Sequence, residues 1–329
     1  MYEFIVGCDV SKDTFDSAYW DKKAIYHGSF SNDVSGFEQW LTFLKEKTTS
    51  PLEKWLVVFE NTGVYSKELK QLLLIQGIPC VEEHALKIKR NAPMQRGKTD
   101  PTDAKMICEY AVEKMHKLSP DKATDETIKK IRPLLARRAL LVKQKTALSV
   151  SNSESKRGMP GDVQVHLEAL HSELYVMITS QIKEIEKLIK TFIDQDEDVK
   201  RNFKLATSVV GVGMITGAFM LCHTNNFSKN FNARKFACFS GVAPFPNQSG
   251  KRTGKKKVSS KGNKVMKAMI SNCVTSAVQH DPFFRGYYER LLQKNKPPGV
   301  IKNNIKNKLI ARVFAAVKRQ TPYVKLAYS

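Results

Sequence analysis

The sequence predicts an α/β plus α fold. An N-terminal sheet domain is followed by a long antiparallel helical hairpin and a mostly helical, basic C-terminal domain. Three observations predict it. Residues 2–83 alternate short apolar strands with helical segments. Residues 123–155 and 163–195 form two long polar–apolar stretches around the break Arg157-Gly158-Met159-Pro160-Gly161. Positive charge then gathers in the last third. The 329 residues suit two or three domains, and the expected bounds are 1–118, 119–199 and 200–329.

Tyr-Glu-Phe-Ile-Val-Gly-Cys-Asp-Val at 2–10 has the apolar density of a buried strand. Thr14–Trp20 and Ala24–Phe30 supply two more strands around Asp21-Lys22-Lys23, completing a meander. Phe37, Trp40, Leu41 and Leu44 recur at helical spacing within Val34–Lys47. Trp55–Glu60 is a short apolar strand. Gly63 breaks the chain before a helix over Tyr65–Gln76, and Ile78–Glu82 is a fifth strand. Ala104, Ile107, Cys108 and Ala111 mark a helix over Pro101–Lys114. This element order is that of a ribonuclease H-like sheet, and other α/β domains contain parts of it.

In the second stretch Leu167, Leu170, Leu174, Ile178, Ile182, Ile185 and Ile189 recur every three or four residues, the spacing of a hairpin or coiled coil. Its length suits dimerisation or spacing, with packing inside one chain as the alternative. Further on, Gly211-Val-Gly213 enters an apolar helix. Such a turn suits a helix-hairpin-helix element whose N–H groups hold a phosphate, and it also suits a plain tight turn. Residues 246–264 read as a Gly/Ser/Lys-rich loop, and 264–279 and 301–318 as helices.

The net charge is +22, from 54 Lys+Arg against 32 Asp+Glu. Residues 1–115 hold 15 basic and 17 acidic residues, whereas 226–329 hold 22 and 2. That imbalance implies a polyanion, nucleic acid before membrane. The six cysteines are scattered without Cys-x-x-Cys pairing, which argues against zinc and disulfides and for reduced thiols in a cytoplasmic protein. No leader pattern and no membrane-spanning apolar run is present, so no membrane partner is expected.

Four acids stand out in this basic chain. Asp9 lies on the first strand and Glu60 ends the fourth, where the two would converge if those strands are parallel neighbours. Asp100 and Asp103, three apart at a helix start, share a face. Four carboxylates make a hard, oxygen-rich site that favours Mg²⁺ or Mn²⁺, a setting for metal-assisted phosphodiester chemistry. Each acid also has a plainer reading. Asp9 precedes the turn Ser11-Lys12-Asp13, Glu60-Asn61-Thr62-Gly63 makes an ordinary turn, and Asp100-Pro101-Thr102-Asp103 makes a helix N-terminus capped by Asp100.

Together Gly-Cys-Asp9-Val-Ser-Lys, Phe-Glu60-Asn-Thr-Gly-Val-Tyr and Lys-Thr-Asp100-Pro-Thr-Asp103-Ala-Lys resemble the DEDD transposases of the bacterial insertion sequence one-ten family. Asn61 departs from the alanine common there. The C-terminal run Phe236-Ala-Cys-Phe-Ser-Gly-Val-Ala-Pro244, Gln248-Ser249-Gly250-Lys251 and Lys257-Val-Ser-Ser-Lys261-Gly262-Asn263 is similar to the family's second domain.

The resemblance implies a ribonuclease H-like (RuvC-like) first domain and a recombinase guided by a non-coding bridge RNA. Ser249 would be the nucleophile, joined covalently to DNA. Donor and target DNA would be exchanged by dimers pairing into a tetramer, with the carboxylates of one subunit meeting the serine of another. Spacing alone leaves Ser259 and Ser260 as equal candidates. Lys251, Arg252, Lys255, Lys256, Lys257, Lys261 and Lys264 would contact nucleic acid, as would Gly211 and Gly213 through their backbone. Lys267, Arg285, Arg290, Lys302, Lys306, Lys308, Arg312, Lys318 and Arg319 suit non-specific backbone contact. Phe283, Phe284, Tyr287 and Tyr288 suit core packing before base stacking. Two further readings remain: a metal-dependent RuvC-like junction nuclease using water, and a non-catalytic nucleic-acid scaffold.

Overall fold

The computed structural model describes residues 2–91, 100–155, 160–228, 231–249, 252–259 and 261–324. The chain divides into two compact units, Met1–Ala123 and Thr124–Ser329.

The first unit is built on a five-stranded sheet in the order β3-β2-β1-β4-β5. The strands are β1 Phe4–Val10, β2 Thr14–Trp20, β3 Ile25–Ser31, β4 Trp55–Glu60 and β5 Cys80–Glu83. β1 pairs antiparallel with β2 and parallel with β4, so the first and fourth strands are parallel neighbours, the condition on which Asp9 and Glu60 would converge. Alternation along β1 splits its side chains between two cores. Phe4, Val6 and Cys8 pack with Trp40 and Leu44 of α1 (Val34–Lys47) and Leu69 and Leu73 of α2 (Lys67–Ile75). Ile5 packs on the other face with Ile88 of α3 (Ala85–Asn91) and Ile107, Tyr110 and Ala111 of α4 (Asp100–Lys114).

Asp33 caps α1, its side chain accepting from the Gly36 N–H at 2.8 Å. The α4 helix starts at Asp100, one residue before the expected Pro101, a shift within the ordinary latitude of helix ends. Residues after α4 stay with the first unit. Asp121 N–H donates to the Cys80 carbonyl at 2.7 Å. The Asp121 carboxylate accepts from Lys70 Nζ at 2.6 Å and from the Glu82 N–H at 3.1 Å.

The second unit opens with α5 (Glu126–Ser155) and α6 (Gly161–Asp194). Lys130 lies over Phe192, Arg138 pairs with Glu186 at 2.7 Å, Lys145 lies over Tyr175, and His171 bonds Asn152 at 3.2 Å. Partners rise on one helix as they fall on the other, so the pair is antiparallel. Near the helix ends Ile128, Ile131, Ile189 and Ile193 join Val199 and Phe203 of α7 (Glu197–Thr207) and Leu221 of α8 (Met214–Thr224) in one core. The remaining elements are α9 Ala233–Phe239, the strands β6 Pro244–Ser249 and β7 Arg252–Val258, α10 Lys264–His280, α11 Pro282–Gln293 and α12 Pro298–Arg319. Met266, Ile270, Phe284, Ile301, Ile305 and Leu309 centre their core.

Two sequence expectations change here. Residues 246–264 are not a loop throughout, because β6 and β7 form an antiparallel hairpin within them. The Lys-rich composition hid the strand alternation. Helices α3, α9 and α11 were not expected; the first two are only seven residues long, too short to display a clear helical period.

Candidate active site

In the first unit the last paired rung of β1 and β4 is Cys8 with Phe59. Asp9 and Glu60 are the next residues on each strand, and neighbouring strands stand ~4.8 Å apart. Ile5, Leu56 and Val58 face α3 and α4, so period-two alternation puts Asp9 and Glu60 on that same face. The α4 helix lies hard against β1. A Cβ on Gly7 would stand 2.3 Å from the Cys108 backbone N and 2.8 Å from the Ala104 carbonyl. Cys108 Sγ donates to the Ile5 carbonyl at 3.8 Å. Stepping from Ile5 to Gly7 thus moves from Cys108 toward Ala104. The helix runs back along the strand, and its first turn, with Asp103, lies toward the Asp9 end. Asp100 opens that turn, and its side chain lies outside the described residues.

Two acids that the sequence reading passed over continue the row. Asp16 is the cross-strand partner of Asp9, and Glu83 that of Glu60. Both outer carboxylates are buried and partnered. Asp16 Oδ1 sits 2.8 Å from His27 Nε2. Glu83 accepts from the His84 N–H at 2.8 Å, Lys87 Nζ and the Tyr110 hydroxyl at 3.1 Å. Burial pushes the Glu83 carboxyl up, and these donors outweigh it, leaving the group below its ordinary range. Strand pairing was the signal that would have found both acids.

The loops beyond the two inner acids are tied together by Asn32, also missed. Its Nδ2 donates to the Ser11 carbonyl at 2.8 Å and the Tyr65 carbonyl at 3.2 Å. Its Oδ1 is buried without a hydrogen-bond partner among the described residues, as is the Thr62 hydroxyl beside Glu60.

Asp9, Glu60 and Asp103 offer oxygen donors only, a set that suits a hard divalent cation. Among the described residues no three His, Cys, Asp or Glu side chains are gathered closely enough to hold a metal. Cysteine ligation has no support. All six thiols are free, and burial pushes Cys80, Cys108 and Cys222 up to about 12.

In the second unit Ser249 ends β6 and pairs with Arg252 at the start of β7. The side chains of Ser249, Arg252, Lys255, Lys256 and Lys257, and the whole of Lys251 and Ser260, lie outside the described residues. Ser259 accepts from the Lys261 N–H at 3.1 Å, a local turn bond. The hairpin root is held tightly. A Cβ on Gly262 would stand 2.3 Å from the Gly241 backbone, and Gly241 itself has φ +64°. Asn303 and Asn307 both donate to the Val242 carbonyl at 3.0 Å. Lys261 and Lys264 are exposed just beyond it.

Gly211 and Gly213 do sit in the turn between α7 and α8. Gly211 has φ +94°, and a Cβ there would stand 2.5 Å from the Cys273 carbonyl, so packing on α10 already requires glycine. Gly213 faces open space at the start of α8, and with Arg138, Thr216, Asn272 and Ser276 it lines a shallow cleft.

Two predicted surface cations belong to the fold. Arg312 reaches the fully buried Asp281 at 3.3 Å and stacks on Phe283 and Phe284 at 4.3 and 4.1 Å. Arg285 Nε donates to the Val278 carbonyl at 3.4 Å. Phe284 is fully buried, and Phe283, Tyr287 and Tyr288 pack on the same core, as their packing reading anticipates. Among the described residues no helix is long and apolar enough to cross a membrane.

Comparison with known proteins bears on both units. Residues 6–152 match a DEDD-type IS110 model described as a transposase, and residues 204–289 match one described as Transposase IS116/IS110/IS902 family. Over 335 aligned residues the chain is 22% identical to the pilin gene-inverting proteins of Moraxella bovis and Moraxella lacunata, covering 99% of this chain and of each relative.

Proposed function

The chain belongs to the IS110 family of transposases and is a DNA-recombining enzyme; from that premise we propose that it exchanges donor and target DNA through a serine–DNA covalent intermediate, with a bridge RNA choosing the sites. The observation that carries this reading is the placement of Asp9 and Glu60 side by side on adjacent strands and one face, with the Asp103 end of α4 directed toward them. The strand order supports a ribonuclease H-like first domain. The name of the relatives, which invert a pilin gene, is in keeping with exchange between two DNA sites.

In this mechanism Asp9, Glu60, Asp100 and Asp103 would hold Mg²⁺ or Mn²⁺, whose charge would stabilise negative charge on the scissile phosphate. Ser249 Oγ attacks phosphorus, and the P–Oγ bond forms as the bond to the leaving strand breaks. The proton lost by the serine balances the one gained by the leaving hydroxyl. One phosphodiester is thereby replaced by another, and a hydroxyl of the second DNA reverses the step. Lys251, Arg252 and Lys255–Lys257 supply positive charge around the pentacoordinate phosphate. Ser249 lies near the tip of a two-stranded hairpin, paired across the strands with Arg252.

Self-association is part of the proposal, because carboxylates and serine are expected from different subunits. The α6 helix leaves Leu170, Leu174, Val176 and Met177 exposed at 57, 45, 64 and 57%, an apolar surface on the long hairpin.

The test is trapping of protein–DNA adduct on donor DNA with the RNA transcribed beside the gene. Wild type should give a denaturant-stable adduct that Ser249→Ala abolishes and Ser259→Ala retains. Metal-dependent cleavage that survives in Ser249→Ala with no adduct would replace this reading by a nuclease using water.

A further inference from the structure

The hairpin that carries Ser249 rises from a site of concentrated, uncompensated charge. Lys302 and Lys306 are one helical turn apart on α12. They are interleaved with Asn303 and Asn307, whose amides hold the Val242 carbonyl just before β6. Lys302 and Lys306 are i, i+4 neighbours, as are Asn303 and Asn307, so the two pairs form adjoining rows on the helix. Lys267 stands in the first turn of α10, which begins a few residues after β7. Met266 and Ile270 of α10 and Ile301 and Ile305 of α12 share one core, so both helices are fixed where they meet the hairpin root. The close approach of Gly262 to the Gly241 backbone also holds that root.

Lys302 and Lys306 are thus i, i+4 neighbours on α12, and Lys267 stands on α10, which shares its core. None of them has an ion-pair partner among the described residues. The segment 226–329 holds only Asp281 and Glu289 as acids; Asp281 is committed to Arg312. Like charges held together cost stability in the free protein unless an anion joins them. The positive end of the α10 helix dipole adds to the field. Burial first, then the charges of Lys267 and Lys302, hold the Lys306 ammonium below its ordinary range.

We propose that Lys267, Lys302 and Lys306 form a phosphate clamp at the hairpin root, which grips the backbone of the DNA strand presented to Ser249. The inference rests on the reading of the second unit as the DNA-handling domain. The clamp differs from the hairpin cations in placement. Arg252 and Lys255–Lys257 lie along β7, whereas these three sit on packed helices and fix where the strand lies. DNA is favoured over RNA because the clamp adjoins the hairpin whose serine acts on DNA.

The test measures binding of short duplex DNA across a range of salt, in a Ser249→Ala background so that no chemistry is required. Each phosphate contact contributes about 0.9 to the slope of log affinity against log salt. Lys267→Gln/Lys302→Gln/Lys306→Gln should lower that slope by about 2–3, with an unchanged or raised melting temperature because repulsion is relieved. Lys→Arg at the same three positions should restore the slope. Should the triple variant misfold, the exposed Lys302→Gln alone is expected to lower the slope by about 0.9. An unchanged slope in a folded variant overturns the clamp. Weakened binding of the structured RNA with duplex DNA unaffected also overturns it, by moving the site to RNA. The serine reading is separate: it fails on adduct trapping while this binding result stands.

Discussion

The Asn32 amide donates to the Tyr65 carbonyl at 3.2 Å and to the Ser11 carbonyl at 2.8 Å. One side chain thus ties the loop after β1, which follows Asp9, to the loop after β4, which follows Glu60. Asn32→Ala removes these donors and leaves two loop carbonyls to find others. It is expected to cost about 1–2 kcal/mol in stability and to weaken divalent-metal affinity by about tenfold or more. Calorimetric Mg²⁺ titration beside urea unfolding separates the two effects. Unaltered metal affinity in a destabilised protein would reduce Asn32 to a structural tie.

Gly7 allows α4 to touch the sheet. Any side chain there meets the Cys108 and Ala104 backbone, which cannot step aside like a flexible side chain. Gly7→Ala is expected to destabilise the protein by about 1–3 kcal/mol through overpacking. Pushing α4 off β1 also displaces Asp103 from Asp9 and Glu60. Strand transfer should therefore fall further than the unfolded fraction explains, in an assay at a temperature where the variant remains folded. Gly63→Ala is the control: Gly63 has φ +76° but open space around it, so only backbone strain is added. Equal activity losses in the two folded variants would defeat the argument.

The sheet was legible because each strand of the first unit carries its own apolar run with a turn beside it. The β2, α1 and β4 bounds agree with the sequence reading residue for residue. Asp9 and Glu60 were legible for the same reason: an acid at the end of an apolar strand is conspicuous. Asp16 was not, because its partnership with Asp9 is a matter of register between strands. Asn32 resembles any turn asparagine until the two loops it joins are brought together. The β6–β7 hairpin was hidden by Lys and Gly, which obscure alternation on a strand that buries little. Arg312 was misassigned because charge on a helix says nothing of the buried Asp281 waiting 31 residues away.

His223 gives the second unit an acid-sensitive point. Its ring lies against Phe219 and Phe239, with centroids 4.3 and 4.9 Å away. Burial, then the Arg132 charge, lowers its pKa from 6.5 to about 4. The unfolded chain takes up this proton first. Stability is therefore fully present above pH 6.5 and is lost as pH falls toward 4, by at most about 3 kcal/mol. Urea midpoints at pH 7 and pH 4.5 should differ more for wild type than for His223→Phe. Equal acid sensitivity in the two would place the titrating groups elsewhere.

The exposed apolar side chains of α6 invite a partner of the same kind. Leu170, Leu174 and Met177 recur at three- and four-residue spacing, so they share one face, and Val176 adds to the surface beside them. Isolated exposed apolar residues are ordinary, but a contiguous set of this length marks an interaction surface. Leu170→Glu with Leu174→Glu places two charges on that face without touching Ile182, Ile189 or Ile193, which are buried further along the helix. The variant should keep its melting temperature and shift from dimer to monomer in sedimentation at micromolar concentration. If the proposed composite site spans two subunits, adduct formation should fall with it. A variant that sediments as a monomer yet still forms adduct at the wild-type rate would show that both halves of the chemistry are supplied by a single chain.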